Sequence, residues 1–207
     1  MSDKNTSDQS MPDNIPLDQI TYLILAGGKG QRMQGADKGL MLWQGKPMVE
    51  HVINQLNTPA NKIIISANRN LKTYENYANR VISDEINGYT ESFQGPLAGI
   101  LSAMHICTTP YLLCLPCDSP MPPDKLLTNL WQCLQEQNKQ SALCHDGERI
   151  QPLFSLLSCQ HKPLLDTFLH QGRRKVHDFI SLINPAICDF SSQKSRFNNF
   201  NCPDDMN

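Results

Sequence analysis

The stretch LILAGGKGQRMQGADKGL, residues Leu23 to Leu40, carries the reading of the fold. It opens on an apolar run and passes into a loop with five glycines, the cations Lys29, Arg32 and Lys38, and one carboxylate, Asp37. Glycine lets a backbone come close to a ligand, and main-chain N–H groups together with cationic side chains make a cradle for anions. Such a loop at the end of a buried strand points to polyphosphate. Two familiar phosphate loops do not fit it. G-x-x-x-x-G-K-[ST] needs Lys after Gly35, where the chain has Ala36. G-x-G-x-x-G begins at Gly28 and Gly30, but Met33 takes the last glycine position.

On either side of this loop, strands and helices alternate. ITYLIL (20–25) reads as a strand, PMVEHVINQLN (47–57) as a helix with Pro in its first turn, and KIIISA (62–67) as a second strand. A short helix over NLKTYENYA precedes a third strand, RVISD (80–84). The pattern goes on with a Pro-started helix PLAGILSAMHI (96–106), a strand YLLCLPCD (111–118), a helix within PPDKLLTNLWQCLQEQ and a strand SALCHD. In the last third, QPLFSLL reads as a strand, HKPLLDTFLHQ and RKVHDFISLI as helices. Strands that are apolar throughout imply a parallel sheet covered on both faces, and alternation with helices implies a three-layer α/β fold. Ligands of such sheets bind at the carboxyl ends of the strands, which is where the glycine loop begins.

The chain has 207 residues, the size of one ordinary domain. A net charge of −2 argues against a broad surface for nucleic acid or anionic membrane. No window approaches 18 uninterrupted apolar residues, and the polar, acidic start MSDKNTSDQSMPDNIP has no signal-peptide character. The expectation is a disordered tail over 1–17, a single domain over 18–207 and a cytoplasmic setting. The eight cysteines are accordingly expected to be reduced and mostly buried. Cys114 and Cys117 have C-x-x-C spacing, but no second pair accompanies them, and on a strand i and i+3 point to opposite faces. The six histidines match no metal-ligand spacing.

Taken together, LAGGKGQRMQGADKGL, GKPMVEHV, ISANRN, GPLAGILSAM, LPCDSPMPP, HDGERIQPLFSL, GRRKVHDFI and NFNCPDD resemble the molybdenum cofactor guanylyltransferase (molybdopterin-guanine dinucleotide synthase) family. The first motif alone indicates a nucleotidyltransferase; the set narrows it. The resemblance spans about Ile20 to Asp205. It implies a three-layer Rossmann-like nucleotidyltransferase fold of the glycosyltransferase-A type with a mostly parallel central sheet. It also implies transfer of GMP from GTP to the phosphate of molybdenum-bearing molybdopterin, with release of pyrophosphate. No covalent enzyme intermediate is needed, so the protein's task is positioning and charge stabilisation.

Residue by residue, the resemblance assigns main-chain contacts with GTP to Leu25, Ala26, Gly27 and Gly28, and triphosphate contacts to Arg32 and Lys38. Asp118, at the end of a strand, would hold Mg²⁺; the competing reading makes it a helix cap. Arg32, Lys38 and Asp118 are thus the expected catalytic set, with Asn201 a candidate second metal ligand. Asp84 would bind guanosine, through the base or the ribose; a plain turn residue is the alternative. Asn68 and Arg69 match the family's N-A-N-R pattern, whereas Ser66 stands where Asn is usual, a shorter side chain with fewer donors. Arg149, Gln151, Pro152, Arg173 and Arg174 are candidates for the pterin side. Residues 85–94 form a long loop, read either as a lid beside guanosine or as a tolerated insertion. The expected partners are GTP and molybdenum-molybdopterin, with neither nucleic acid nor membrane. The protein would be a monomer making transient contacts with cofactor-biosynthesis proteins or acceptor enzymes. Rival readings are a CTP-using relative, a sugar-phosphate nucleotidyltransferase and a nucleotide-sensing binding protein.

Overall fold

Strands and helices alternate along the chain as the apolar runs predict. The computed structural model describes residues 15–28, 36–84 and 95–200. The elements are β1 (Ile20–Leu25), a small hairpin of β2 (Leu42–Trp43) and β3 (Lys46–Pro47), α1 (Met48–Leu56), β4 (Ile63–Ser66), α2 (Leu71–Tyr74) and β5 (Arg80–Ile82). They continue with α3 (Pro96–Ile106), β6 (Tyr111–Pro116), α4 (Leu126–Glu136), β7 (Ala142–His145), β8 (Ile150–Ser158), α5 (Lys162–His170), α6 (Val176–Ile183) and β9 (Ala186–Asp189). The β2–β3 turn uses Gln44 and Gly45, both at positive φ, as a two-residue hairpin turn requires. Pro96 opens α3 behind Gly95, a position where proline's missing N–H costs no helical bond.

Seven strands form one sheet in the order β5-β4-β1-β6-β8-β7-β9. Every strand but β8 runs in the same direction, because β8 pairs antiparallel with both β6 and β7. The chain moves outward from β1 to β4 and β5, then returns to place β6 on the other side of β1. The connections leaving β1 and β6 therefore diverge, and a crevice opens between them at the carboxyl edge.

Alternation along the strands feeds two cores. Ile20, Tyr22, Ile24, Ile63, Ile65, Leu113 and Leu115 face one layer with Val49, Tyr74 and Leu130. Leu23, Leu25, Ile64, Leu112 and Cys114 face the other with Leu97, Leu101, Leu165 and Phe168. The three-layer α/β arrangement expected from the sequence is thus present. Cys114 and Cys117 fall in opposite cores, as their spacing on a strand predicts. Burial pushes the Cys114 thiol up to about 12 and the Cys117 thiol well above its ordinary range.

Several features differ from the sequence reading. The β2–β3 hairpin and β9 have no counterpart in the sequence reading. β9 is an edge strand whose residues alternate buried and exposed. The cysteines are not all free thiols: Cys133 of α4 is joined to Cys188 of β9, with Cα atoms 5.9 Å apart. A separation of 55 residues hides that pairing from any local spacing rule. Beside it, the Gln137 side chain donates to Ile187 O at 3.1 Å and accepts from Ile187 N at 3.3 Å. Of the tail expected over 1–17, Ile15 packs against the core and Leu17 O accepts from Lys62 Nζ at 2.8 Å. The rest of the tail lies outside the described residues, as do Arg32, Asn201 and the 85–94 loop. No described helix is long and apolar enough to cross a membrane.

Candidate active site

The end of β1 is pinned from both sides. Ala26 N donates to Ser66 O at 2.7 Å, and Cys117 N donates to Leu25 O at 3.1 Å. Leu25, Ala26, Gly27 and Gly28 therefore leave the sheet at the crevice with their main chain held by β4 on one side and β6 on the other. Gly27 O accepts from Asn68 Nδ2 at 3.3 Å, and a Cβ on Gly27 would stand 3.0 Å from that nitrogen. This close approach explains the glycine.

Asn68 and Asp84 form the wall on the β4–β5 side. Asn68 Nδ2 donates to Asp84 Oδ2 at 2.9 Å, and Asp84 N donates back to Asn68 Oδ1 at 3.0 Å. Asp84 is buried. A buried carboxylate needs partners of this kind, and the reciprocal pair ties the chain leaving β4 to the chain leaving β5. Ser66 is different. A Cβ on Gly99 would lie 2.4 Å from Ser66 Oγ, so the hydroxyl is packed under α3. The main-chain carbonyl of Ser66, bonded to Ala26, is what holds the site.

On the β6 side, Lys38 Nζ lies 2.9 Å from Asp118 Oδ2, joining across the crevice two residues that are 80 apart in sequence. The helix-cap reading of Asp118 fails. α4 starts only at Leu126, with Lys125 at its cap. The C-terminal segment folds back here: Phe200 N donates to Asp118 O at 2.9 Å, and Ser119 Oγ donates to Asn199 Oδ1 at 2.7 Å. Trp43 of the small hairpin meets Phe200 edge-on, with ring centroids 5.5 Å apart.

The remaining loops reach the same edge by topology. β8 runs opposite to β7, so the turn before it lies at the carboxyl end of β7. α5 carries the chain back up, so residues 171–175 return there too. In the β7–β8 turn, Asp146 accepts from Glu148 N and Arg149 N at 2.8 Å each, and from Gln151 Nε2 at 2.5 Å. Desolvation works against the Asp146 anion, but the bonds from Arg149, Gln151 and Glu148, with the Arg149 charge, hold its carboxyl down at about 2.

The MobA-like NTP transferase domain model matches residues 22–184. The molybdenum cofactor guanylyltransferase of Mannheimia succiniciproducens is 42% identical over 188 residues, 91% of this chain and 97% of that protein. The chain belongs to the molybdenum cofactor guanylyltransferase family. The corresponding protein of Shewanella sediminis is 40% identical over 90% of this chain and 93% of its own length. Among solved structures, molybdopterin-guanine dinucleotide biosynthesis protein A from Archaeoglobus fulgidus superposes with a TM-score of 0.70 at 21% identity, covering 90% of this chain and 94% of that one. That likeness supports the nucleotidyltransferase architecture of the sheet.

Within this guanylyltransferase-family chain, the pterin-side candidates are not equivalent. Arg149 is largely exposed, with its side chain 3.8 Å from Asp146. The Gln151 amide is committed to Asp146. Pro152 sits where the β7–β8 register slips: Leu143 faces Ser155 while Cys144 faces Gln151. A proline is tolerated there because a bulge needs no ladder N–H. Arg174 donates to Leu169 O at 2.7 Å and caps α5, while Arg173 stacks on Phe168 at 4.2 Å. Thus Arg149, beside Asp146, and Arg173, 3.8 Å from Asp178, keep more exposed charge than Arg174, whose guanidinium is bonded to main-chain carbonyls.

Sequence reasoning passed over Tyr74 and Asp146. Tyr74 is fully buried and donates to Asp37 Oδ1 at 2.6 Å. A Cβ on Gly39 would come within 2.4 Å of the Tyr74 hydroxyl. Burial, with the neighbouring Cys117 and Asp37, pushes the Tyr74 phenol far above its usual range. Tyr74 could have been noticed as the one aromatic in the short α2 helix; Asp146 has no signal beyond the Asp-Gly turn it starts.

Proposed function

We propose that this protein transfers GMP from GTP to the phosphate of molybdenum-bearing molybdopterin. A phosphate oxygen of the pterin attacks the α-phosphorus, the bond from that phosphorus to the β-phosphate bridge oxygen breaks, and pyrophosphate leaves. The observation that carries the reading is the Lys38–Asp118 pair at the switch point, beside the pinned main chain of residues 25–28.

The work of the chain is positioning and charge. The main chain from Leu25 to Gly28 lines the nucleotide, and the Asn68–Asp84 pair faces guanosine. Lys38, with Arg32 from the glycine loop, offsets triphosphate charge. Arg149 and Arg173, the more exposed of the candidate arginines, would meet the pterin phosphate. Among the described residues, no group of three His, Cys, Asp or Glu could hold a metal. A single carboxylate such as Asp118 suits Mg²⁺, which keeps several waters, takes substrate phosphates as ligands and needs only one or two protein carboxylates. Asp118 would hold it, and Asn201 is the candidate second ligand. Bound there, Mg²⁺ would neutralise charge on the phosphates. The setting we propose is the cytoplasm, with the protein acting as a monomer that meets its pterin donor and acceptor enzymes transiently.

The test is incubation with Mg²⁺, molybdenum-molybdopterin and each of GTP, CTP, ATP and UTP, following dinucleotide product and pyrophosphate together. The expected result is one pyrophosphate per guanine dinucleotide with GTP preferred. Preference for CTP would overturn the guanylyl reading and leave the fold untouched.

A further inference from the structure

Arg69 follows the Asn68 that faces Asp84, yet its own contacts go elsewhere. Its Nη2 donates to Ala36 O at 2.7 Å and to Gly28 O at 3.3 Å. These two carbonyls are the ends of the glycine loop as described, on either side of residues 29–35. One nitrogen thus brings the loop's two ends within two hydrogen-bond lengths of each other. Arg69 Nε lies 3.6 Å from Asp37 Oδ2, and the Asp37 carboxylate also accepts from Asn70 Nδ2 at 3.0 Å and from Tyr74. Asp37 immediately precedes Lys38, the partner of Asp118. The side chain of Arg69 is about a quarter exposed and that of Asp37 is nearly buried.

We infer that Arg69 is a positioning residue for the transfer reaction, a guanidinium that holds the Gly28 and Ala36 carbonyls together and, through Asp37, sets the placement of Lys38. This inference rests on the guanylyl-transfer reading. The chemistry requires arginine in particular. Nη2 takes both carbonyls while Nε sets positive charge 3.6 Å from Asp37, a spread that a planar guanidinium covers and a lysine ammonium, a point charge on a flexible stem, does not. Its charge faces carbonyl oxygens and Asp37, and its effect on the triphosphate is indirect. A loop end displaced by an ångström costs rate through misplaced phosphate contacts, on the order of 10²-fold.

The experiment compares the full chain with Arg69→Ala and Arg69→Lys, using circular dichroism and melting temperature as folding controls. Three quantities are read: single-turnover transfer at saturating GTP and Mg²⁺, the affinity for GTP, and the affinity for guanosine, which has no phosphate. Both variants are expected to transfer on the order of 10²-fold more slowly and to bind GTP more weakly, while guanosine binds as in the parent. Arg69→Lys restoring the parent rate would show that charge alone suffices and overturn the bridging role. Equal losses of GTP and guanosine affinity would mark general damage and overturn it as well. Should the parent transfer no GMP, the functional reading falls by itself. The tie is then read from amide exchange at Leu40, which donates to Asp37 O, and must accelerate in both variants.

Discussion

Asn68 and Asp84 satisfy each other in both directions, the side-chain amide donating to the carboxylate and the backbone N–H of Asp84 donating to the amide oxygen. Neither side chain can be removed without disturbing the other. Asn68→Ala and Asp84→Ala should each weaken GTP binding by about 10- to 100-fold, the range for hydrogen bonds to a charged group. The double variant should cost little more than the worse single one. Isothermal titration with GTP across the four proteins checks this; additive losses would mean that the two residues act separately.

Lys38 and Asp118 call for a similar treatment with a different readout. Asp118→Asn keeps the shape and removes the charge, which weakens the proposed metal site and the attraction between residue 118 and Lys38. Transfer should slow by about 10²–10³-fold, with part of the loss recovered as Mg²⁺ is raised. Single-turnover rates over a Mg²⁺ series decide it. A folded variant within a few-fold of the parent at low Mg²⁺ would remove Asp118 from the reaction.

Ser66 should prove dispensable as a side chain. Its hydroxyl lies beneath Gly99, so Ser66→Ala should leave GTP affinity within about threefold, because the Ala26 bond uses the main chain. Ser66→Asn, which brings in the family's usual residue, should instead overpack α3 and cost about 1–3 kcal/mol of stability. Urea unfolding and GTP titration on both variants separate the two effects.

Asp146 supplies a pH signature. Its carboxyl sits at about 2 when folded, below the ordinary carboxylate value of about 3.9 in an unfolded chain. The stability it contributes is therefore complete above about pH 4 and is lost as pH falls from about 4 toward 2. Asp146→Asn should be less stable than the parent at pH 6, and the gap should narrow by pH 3. Denaturant midpoints at those two pH values test the sign; a constant gap would contradict it.

How much of this could be read in the sequence follows from how far apart the interacting residues lie. Buried strands and long helices have local periodicity, so β1, β4, β6, α1 and α3 fall within a residue or two of their expected limits. Asp118 and Lys38 were singled out because a carboxylate at a strand end and a cation in a glycine loop have recognisable chemistry. The two-residue strands of the hairpin have no period to detect. The Cys133–Cys188 link and the Arg69 contacts join segments tens of residues apart, and only the folded chain brings them together. The surroundings of Ser66 were out of reach for a related reason: Gly99, against which its hydroxyl packs, lies 33 residues away.

The side-chain amide of Gln137 occupies both hydrogen-bonding groups of Ile187 on the outer rim of the sheet. An open strand at that rim would be a template for a second molecule to add a strand of its own and continue the sheet from copy to copy. Gln137 works there as a one-residue imitation of the missing neighbour, and it caps a helix that is itself tied to the strand through Cys133 and Cys188. Removing the amide, as in Gln137→Ala, would leave each folded molecule almost unchanged while freeing one peptide group for intermolecular pairing. The consequence would show first in shelf life at high concentration, as slow sheet-like aggregation without any change in turnover.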